Sequence, residues 1–177
     1  MKSLEDQMSV YAAYHQDARN KATHFVGVPV IVLSLMIPLS WLRVEGISAA
    51  MVITAALLAY YLVLDVGLGL AMCVVMGALL WLGQIIADQG VLAGWSWFAV
   101  LFVGGWALQL WGHVFEGRKP ALVDNLFQIF VAPIFLAAEV FFALGYKPAL
   151  RERVERRAQL SRAQSADSST SLTRTSS

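Results

Sequence analysis

Long apolar runs separated by short polar breaks dominate this chain. The runs cover Phe25 to Leu42, Ile47 to Leu64, Val66 to Ala87, Val91 to Trp111 and Leu126 to Leu144. Between Phe25 and Trp111 the charged side chains are Arg43, Glu45, Asp65 and Asp88 alone. A membrane-crossing helix needs about 20 apolar residues, with about 17 as a lower limit. The runs lack the period-two alternation of a transmembrane barrel strand, which leaves helices as the way to pair backbone amides in lipid. The pattern predicts an all-α, multi-pass transmembrane helical bundle of four spans, with a fifth membrane-embedded helix.

Breaks between the runs carry turn signals. Pro38 should kink or end the first span, whereas Pro29 lies near its start, where a missing amide costs little. Arg43-Val44-Glu45-Gly46 links the first two runs, a turn near Asp65 and Gly67 links the next two, and Asp88-Gln89-Gly90 closes the third. Gly69, Gly77, Gly104 and Gly105 are small enough to allow close helix packing. Trp95, Trp97, Trp106 and Trp111 suit the two membrane interfaces.

Composition agrees with this reading. Of 177 residues, 58% are hydrophobic and 14% charged, against about 25% charged in an ordinary soluble domain. The net charge of +1 says little as a sum, but its distribution is informative. Arg19 and Lys21 precede the first span, Arg118 and Lys119 follow the fourth, and Lys147, Arg151, Arg153, Arg156, Arg157 and Arg162 crowd the stretch after the fifth run. The positive-inside rule places all three groups in the cytoplasm, and they read as anchors at anionic headgroups rather than as a nucleic-acid surface. Four spans satisfy the rule for the first two groups, but a fifth full crossing sends the strongest basic cluster outside. The expectation is that Leu126 to Leu144 re-enters, breaking at Pro133, or lies partly in the interface. The alternative is five spans and a tail that violates the rule. Met1 to His24 is too polar for a signal peptide. Cys73, the single cysteine, reads as a small buried hydrophobe. A Ser- and Thr-rich end from Ser165 to Ser177 has the composition of a disordered tail.

Candidate chemistry lies at the polar edges. The three histidines, His15, His24 and His113, fall on one membrane face if four spans separate the last two. Imidazole suits Fe, Zn, Cu and Ni, so the convergence points to a metal site; for any one histidine alone, a bond to a backbone carbonyl is the plainer reading. His15 and His24 are nine residues apart, about two and a half helical turns, so they share a metal only if the chain bends between them. Tyr11 and His15 share a helix face, as do Asn20 and His24. His113 and Glu116 are three apart, which makes Glu116 a ligand, an acceptor orienting an imidazole, or a partner of Arg118 or Lys119. Asp17 and Asp124 are weaker candidates and read as solvated charges. Glu139, inside an apolar run, is expected to be paired or functional. Gly67-Leu68-Gly69 lacks the strand–helix context of a dinucleotide site.

At these histidines the sequence resembles a known family. Tyr14-His15-Gln16-Asp17 is followed by Asn20, His24, Gly27 and Pro29; Gln109-Leu110-Trp111-Gly112-His113 is followed by Phe115-Glu116 and Pro120-Ala121-Leu122. Together the two blocks are similar to the membrane family of the fungal 2-hydroxy fatty acid dioxygenase of fatty acid alpha-oxidation, over about Leu4 to Tyr146. The resemblance implies an Fe(2+) enzyme that splits a 2-hydroxy fatty acid with O2, yielding an acid one carbon shorter and carbon dioxide. It implies that His15, His24 and His113 ligate the iron and that Asn20 and Glu116 lie behind them or add a ligand. Arg19, Lys21, Arg118 and Lys119 are candidates to hold the substrate carboxylate. The expected organisation is a membrane-embedded catalytic domain over 1–146, a basic cytoplasmic helix over 147–164 and the tail over 165–177. The active site is expected to face the cytoplasm, in a bacterial inner membrane or the endoplasmic reticulum. A non-catalytic membrane scaffold with structural histidines is the competing class. A small transporter or haem-binding bundle is a third, disfavoured by the lack of mid-membrane histidines.

Overall fold

The computed structural model describes residues 3–117 and 127–174, without the side chains of 165–174. Arg118, Lys119, Pro120-Ala121-Leu122, Asp124 and Leu126, and residues 175–177, therefore lie outside the described residues. The described chain is helical apart from one small hairpin and short turns. The helices are α1 (Leu4–Tyr14), α2 (Ala18–Trp41), α3 (Ala49–Leu64), α4 (Val66–Ala87), α5 (Val91–Glu116), α6 (Gln128–Ala143) and α7 (Pro148–Arg174).

Three of them, α2, α4 and α5, are long and apolar enough to cross a membrane. The second expected span is shorter than expected, because α3 begins only at Ala49 and has 16 residues. The preceding residues form an antiparallel hairpin, β1 (Arg43–Val44) and β2 (Ile47–Ser48). Glu45 and Gly46 turn it with φ of 50° and 85°, the left-handed pair that a two-residue hairpin requires. Ser48 then caps α3, its side chain accepting from the Met51 amide.

Pro38 does not end α2, which runs on to Trp41 with both prolines inside it. An interior proline costs a helix about 3 kcal/mol, and close packing along α5 offsets that cost. A Cβ on Gly27 would lie 3.1 Å from the Gly105 carbonyl oxygen, and one on Gly112 would overlap Thr23 and Asn20. Gly69 likewise meets the backbone of Leu62 where α3 and α4 pack, whereas Gly77 and Gly104 face open space. Of the four expected packing glycines, Gly69 and Gly105 serve that role. Trp95, Trp97 and Trp111 are exposed on the outer surface, while Trp106 turns inward to a cavity wall.

Ties between connections define two ends of the bundle. At one end Arg43 pairs with Asp88 at 3.3 Å, and the Trp41 indole donates to the Ala87 carbonyl at 3.1 Å. At the other, Lys147 pairs with Asp65, Tyr60 donates to Gln7, and α7 lies against α1. There Arg153 and Arg157 pair with Glu5, Arg157 also pairs with Asp6, and Val154 and Ala158 are buried. The α7 backbone stays helical through Arg174, beyond residue 164, where composition places the end of the basic helix. Glu139 in α6 is paired, its carboxylate 2.8 Å from Lys21.

The helix seam makes a contrast in one pair of variants. Gly112→Ala forces a methyl group into Thr23 and Asn20 and should destabilise the bundle by about 1–3 kcal/mol. Gly104→Ala places its methyl group in open space and should be neutral or slightly stabilising. Thermal unfolding of the two variants in detergent checks the difference.

Candidate metal centre

A break between two helices creates the site. Helix α1 opens with a capping box, in which the Ser3 hydroxyl takes the Asp6 amide and the Asp6 carboxylate takes the Ser3 amide. It stops at Tyr14, and His15 adopts φ −133°, ψ 69°. Asp17 starts the next helix, accepting the Arg19 amide at 2.8 Å. This is the bend that the nine-residue spacing demands, and it turns His15 back onto His24.

Glu116, at the end of α5, fastens the bend. Its Oε2 accepts the amides of Gln16 at 3.0 Å and Asp17 at 2.8 Å, and the Asn20 side-chain amide at 3.2 Å. Its Oε1 accepts from Arg162 of α7 at 3.1 Å, and only 1% of the Glu116 side chain is exposed. A carboxylate at the start of α2 also sits where unpaired amides and the helix dipole favour negative charge. A bend that would otherwise be local is thereby tied to two helices distant in sequence.

The three histidines converge as a result. Their ring centroids lie 4.5 Å apart for His15–His24, 5.0 Å for His15–His113 and 5.1 Å for His24–His113. One ring nitrogen from each falls within 4.8 Å of the others, and all three residues are buried. The His15 Nδ1 lies 2.8 Å from the Tyr11 carbonyl and the His24 Nδ1 2.8 Å from the Asn20 carbonyl. A carbonyl oxygen only accepts, so both Nδ1 atoms carry the proton and both Nε2 lone pairs face inward. These lone pairs stand 3.1 Å apart, an arrangement that repels unless a cation lies between them. Backbone carbonyls fixing the tautomer of inward-facing imidazoles are the usual support for metal-binding histidines, so the donor set fits a metal ion.

Electrostatics keep the cluster ready. Burial, with His24 as the next cause, pushes the His15 imidazole down to about 2, so it stays neutral at physiological pH. Tyr11 stacks on His15 with ring centroids 3.9 Å apart and planes 7° apart. Burial raises the Tyr11 phenol far above its ordinary range, and it remains a neutral wall.

Beneath the histidines lies an apolar cavity of about 280 Å³. Its walls come from Val28, Ile31, Leu35, Met36 and Leu39 of α2, from Ile53 and Leu57 of α3, and from Trp106 and Gln109 of α5, among others. From His24 to Leu39 along α2 is about 22 Å at the usual helical rise, somewhat more than half of a hydrocarbon core about 30 Å thick.

The remaining candidates fall elsewhere. Asn20 is fully buried and bears on His24 through its backbone carbonyl and on Glu116 through its amide. Asp17 is a helix cap that also pairs with Arg19, and the Arg19 guanidinium lies over Phe115 at 4.5 Å. Lys21 is held by Glu139. Among the described residues, the expected carboxylate holders are therefore engaged with other groups. Sequence reasoning assigned no role to Gln109 on the cavity wall and took Arg162 only as part of a basic anchor. Gln109 had a legible signal, since it precedes His113 by four residues and shares its face of α5. Arg162 had none, because the contact spans 46 residues.

The described structure thus combines a buried three-histidine cluster that could hold a metal ion, an apolar cavity beside it and three helices long and apolar enough to cross a membrane. Comparison with known proteins narrows the class. Residues 1–144 match the family described as "2-hydroxy-palmitic acid dioxygenase Mpo1-like". The chain is also 35% identical over 155 residues to the 2-hydroxy-palmitic acid dioxygenase MPO1 of Saccharomyces cerevisiae, covering 86% of this chain and 87% of that relative. No solved structure matches it. The chain belongs to the Mpo1-like dioxygenase family.

Removing the Glu116 carboxylate tests the fastening. Glu116→Ala should speed hydrogen exchange at the Gln16 and Asp17 amides by about one to two orders of magnitude, since a hydrogen bond to a charged group contributes about 1.5–3 kcal/mol. Exchange mass spectrometry of peptides across residues 14–20 reads this directly.

Proposed function

We propose that the chain is an Fe(2+)-dependent dioxygenase of 2-hydroxy fatty acids. The observation that carries this reading is the buried cluster of His15, His24 and His113 opening into an apolar cavity. Family membership supports the reaction class and the substrate type. The reaction consumes R-CH(OH)-COOH and O2 and yields R-COOH, CO2 and water. The C1–C2 bond breaks, and the substrate supplies all four electrons that O2 accepts, so no external reductant is needed.

Each residue has a role in this reading. His15, His24 and His113 supply the nitrogen ligands. Held there, iron(II) would supply a centre for O2 and the hydroxycarboxylate head and the redox capacity that three imidazoles alone lack. Asn20 and Glu116 act behind the ligands: Asn20 orients His24, and Glu116 holds the bend that presents His15. Glu116 is not assigned as a ligand, because its oxygens already accept four donors. The acyl chain lies along α2 in the cavity. Leaving lipid for water would cost it about 0.8 kcal/mol per methylene, and a site beneath the membrane face avoids that cost.

The ties at the two ends support a topology. We infer four crossings, α2 to α5, with α3 returning from the 43–48 hairpin to the end that bears the histidines. Helix α6 does not cross, because Phe130, Glu139 and the following Lys147 all bond to groups at or near that end: Tyr61, Lys21 and Asp65. Arg19, Lys21 and the basic residues of α7 also lie there, with Arg43 at the opposite end, so the positive-inside rule turns the site to the cytoplasm. The membrane-embedded catalytic unit is 1–146, and the basic helix over 147–164 braces it.

Purified protein reconstituted anaerobically should hold about one iron per chain and convert 2-hydroxyhexadecanoate to the 15-carbon acid with uptake of one O2. His113→Ala should abolish both, whereas an iron-free wild type would sink this reading. Cysteines introduced as Glu45→Cys and Gln89→Cys in a Cys73→Ser background should label from outside intact spheroplasts or from the lumenal side. Gln16→Cys should label only after permeabilisation.

A further inference from the structure

The cavity wall holds polar groups that the metal-site reading leaves unused. Gln109 is 7% exposed, and its Oε1 is completely buried with no hydrogen-bond partner among the described residues. Trp106, three residues earlier, has a buried indole N–H in the same condition. Both line the cavity, as does His113. Residues 106, 109 and 113 recur at helical spacing and form one stripe down α5. A buried polar atom without a partner costs about 1–3 kcal/mol, and one retained in a native fold calls for an explanation, such as a ligand that completes it.

Position says which ligand group. Gln109 is one helical turn from His113 on the cavity side, and its side-chain nitrogen would lie 3.3 Å from a Cβ on Gly27, three residues past His24. It therefore stands between the imidazole cluster and the apolar walls. Resting on the dioxygenase reading, we propose that Gln109 recognises the polar head of the substrate. Its amide oxygen accepts the 2-hydroxyl, its amide nitrogen donates to the carboxylate, and the Trp106 N–H supplies a second donor on the same stripe. A plain fatty acid lacks the hydroxyl and leaves Gln109 Oε1 unpaired. A site built to bond a hydroxyl discriminates strongly against the analogue without it, whereas an apolar pocket barely discriminates against added polarity. Gln109 thus determines why a 2-hydroxy acid, and not the abundant unsubstituted acid, occupies the cavity.

The test is equilibrium binding without O2, using full-length metal-loaded protein in detergent with 2-hydroxyhexadecanoate and hexadecanoate as probes. Wild type should prefer the hydroxy acid by about tenfold or more. Gln109→Leu, close in volume and unable to hydrogen-bond, should lose that preference through weaker hydroxy-acid binding, with hexadecanoate affinity unchanged or improved. Gln109→Asn should recover part of the preference, which a loss of packing would not explain. Metal content and melting temperature of each variant show that the centre and the fold persist. A Gln109→Leu variant that keeps the wild-type preference overturns the proposal. If wild type turns over the hydroxy acid but binds both acids equally, the proposal fails while the dioxygenase reading stands. If wild type neither binds metal nor discriminates, both fail.

Discussion

Glu116 is a buried carboxylate, and a charge survives burial only when it is paired and hydrogen-bonded. Here it accepts two backbone amides, one side-chain amide and one guanidinium. Removing one partner of such an arrangement costs about 3–5 kcal/mol, so its parts constrain one another. The backbone amides lie in the break between α1 and α2, the side-chain amide belongs to α2, the carboxylate ends α5 and the guanidinium belongs to α7. One set of bonds joins the break, α2, α5 and α7. Without the break, His15 and His24 would face opposite sides of one helix; without α5 pressed on α2 through Gly27, Gly105 and Gly112, His113 would stand too far away.

Beneath that knot the protein gives up polar chemistry almost entirely. The cavity is walled mostly by side chains of α2, α3, α5 and α6, with Tyr11 of α1 and Met76 of α4, and its polar lining residues are few: Tyr11, the histidines, Gln109, Gln128 and Trp106. In the proposed reading an amphiphile enters this space with its head at the imidazoles and its chain along α2. That reading is economical, since such a substrate would exchange one apolar environment for another and only its head group would change surroundings.

Much of this was legible in the sequence because hydrophobic runs and histidine positions are local features. The third run, Val66 to Ala87, coincides with α4, and the need for a bend between His15 and His24 follows from helical geometry alone. The fourth run was read as ending at Trp111 because polarity rises there, yet α5 continues through Glu116, held by its packing on α2. Pro38 was read as a kink or a stop, but tertiary packing outweighs its local penalty. The second span was read from Ile47, though the left-handed turn at Glu45 and Gly46 pulls that residue into a hairpin. Glu116 stands out in the sequence by its spacing from His113, but its partners do not, because Gln16, Asp17 and Arg162 reach it across about 50 to 100 positions. Hydropathy and spacing carry no signal over such distances. The expected substrate class and the choice of iron come from the resemblance, whereas the histidine positions alone point only to a metal site.

The central claim is that three imidazoles, and no carboxylate of this chain, hold the iron. Iron K-edge X-ray absorption on the anaerobically reconstituted protein tests it most directly, because imidazole rings give a distinctive multiple-scattering pattern. The account predicts scattering from three imidazoles, falling to two in His24→Ala and unchanged in Glu116→Gln. A first shell dominated by carboxylate oxygen, or one that loses an oxygen ligand in Glu116→Gln, would contradict it.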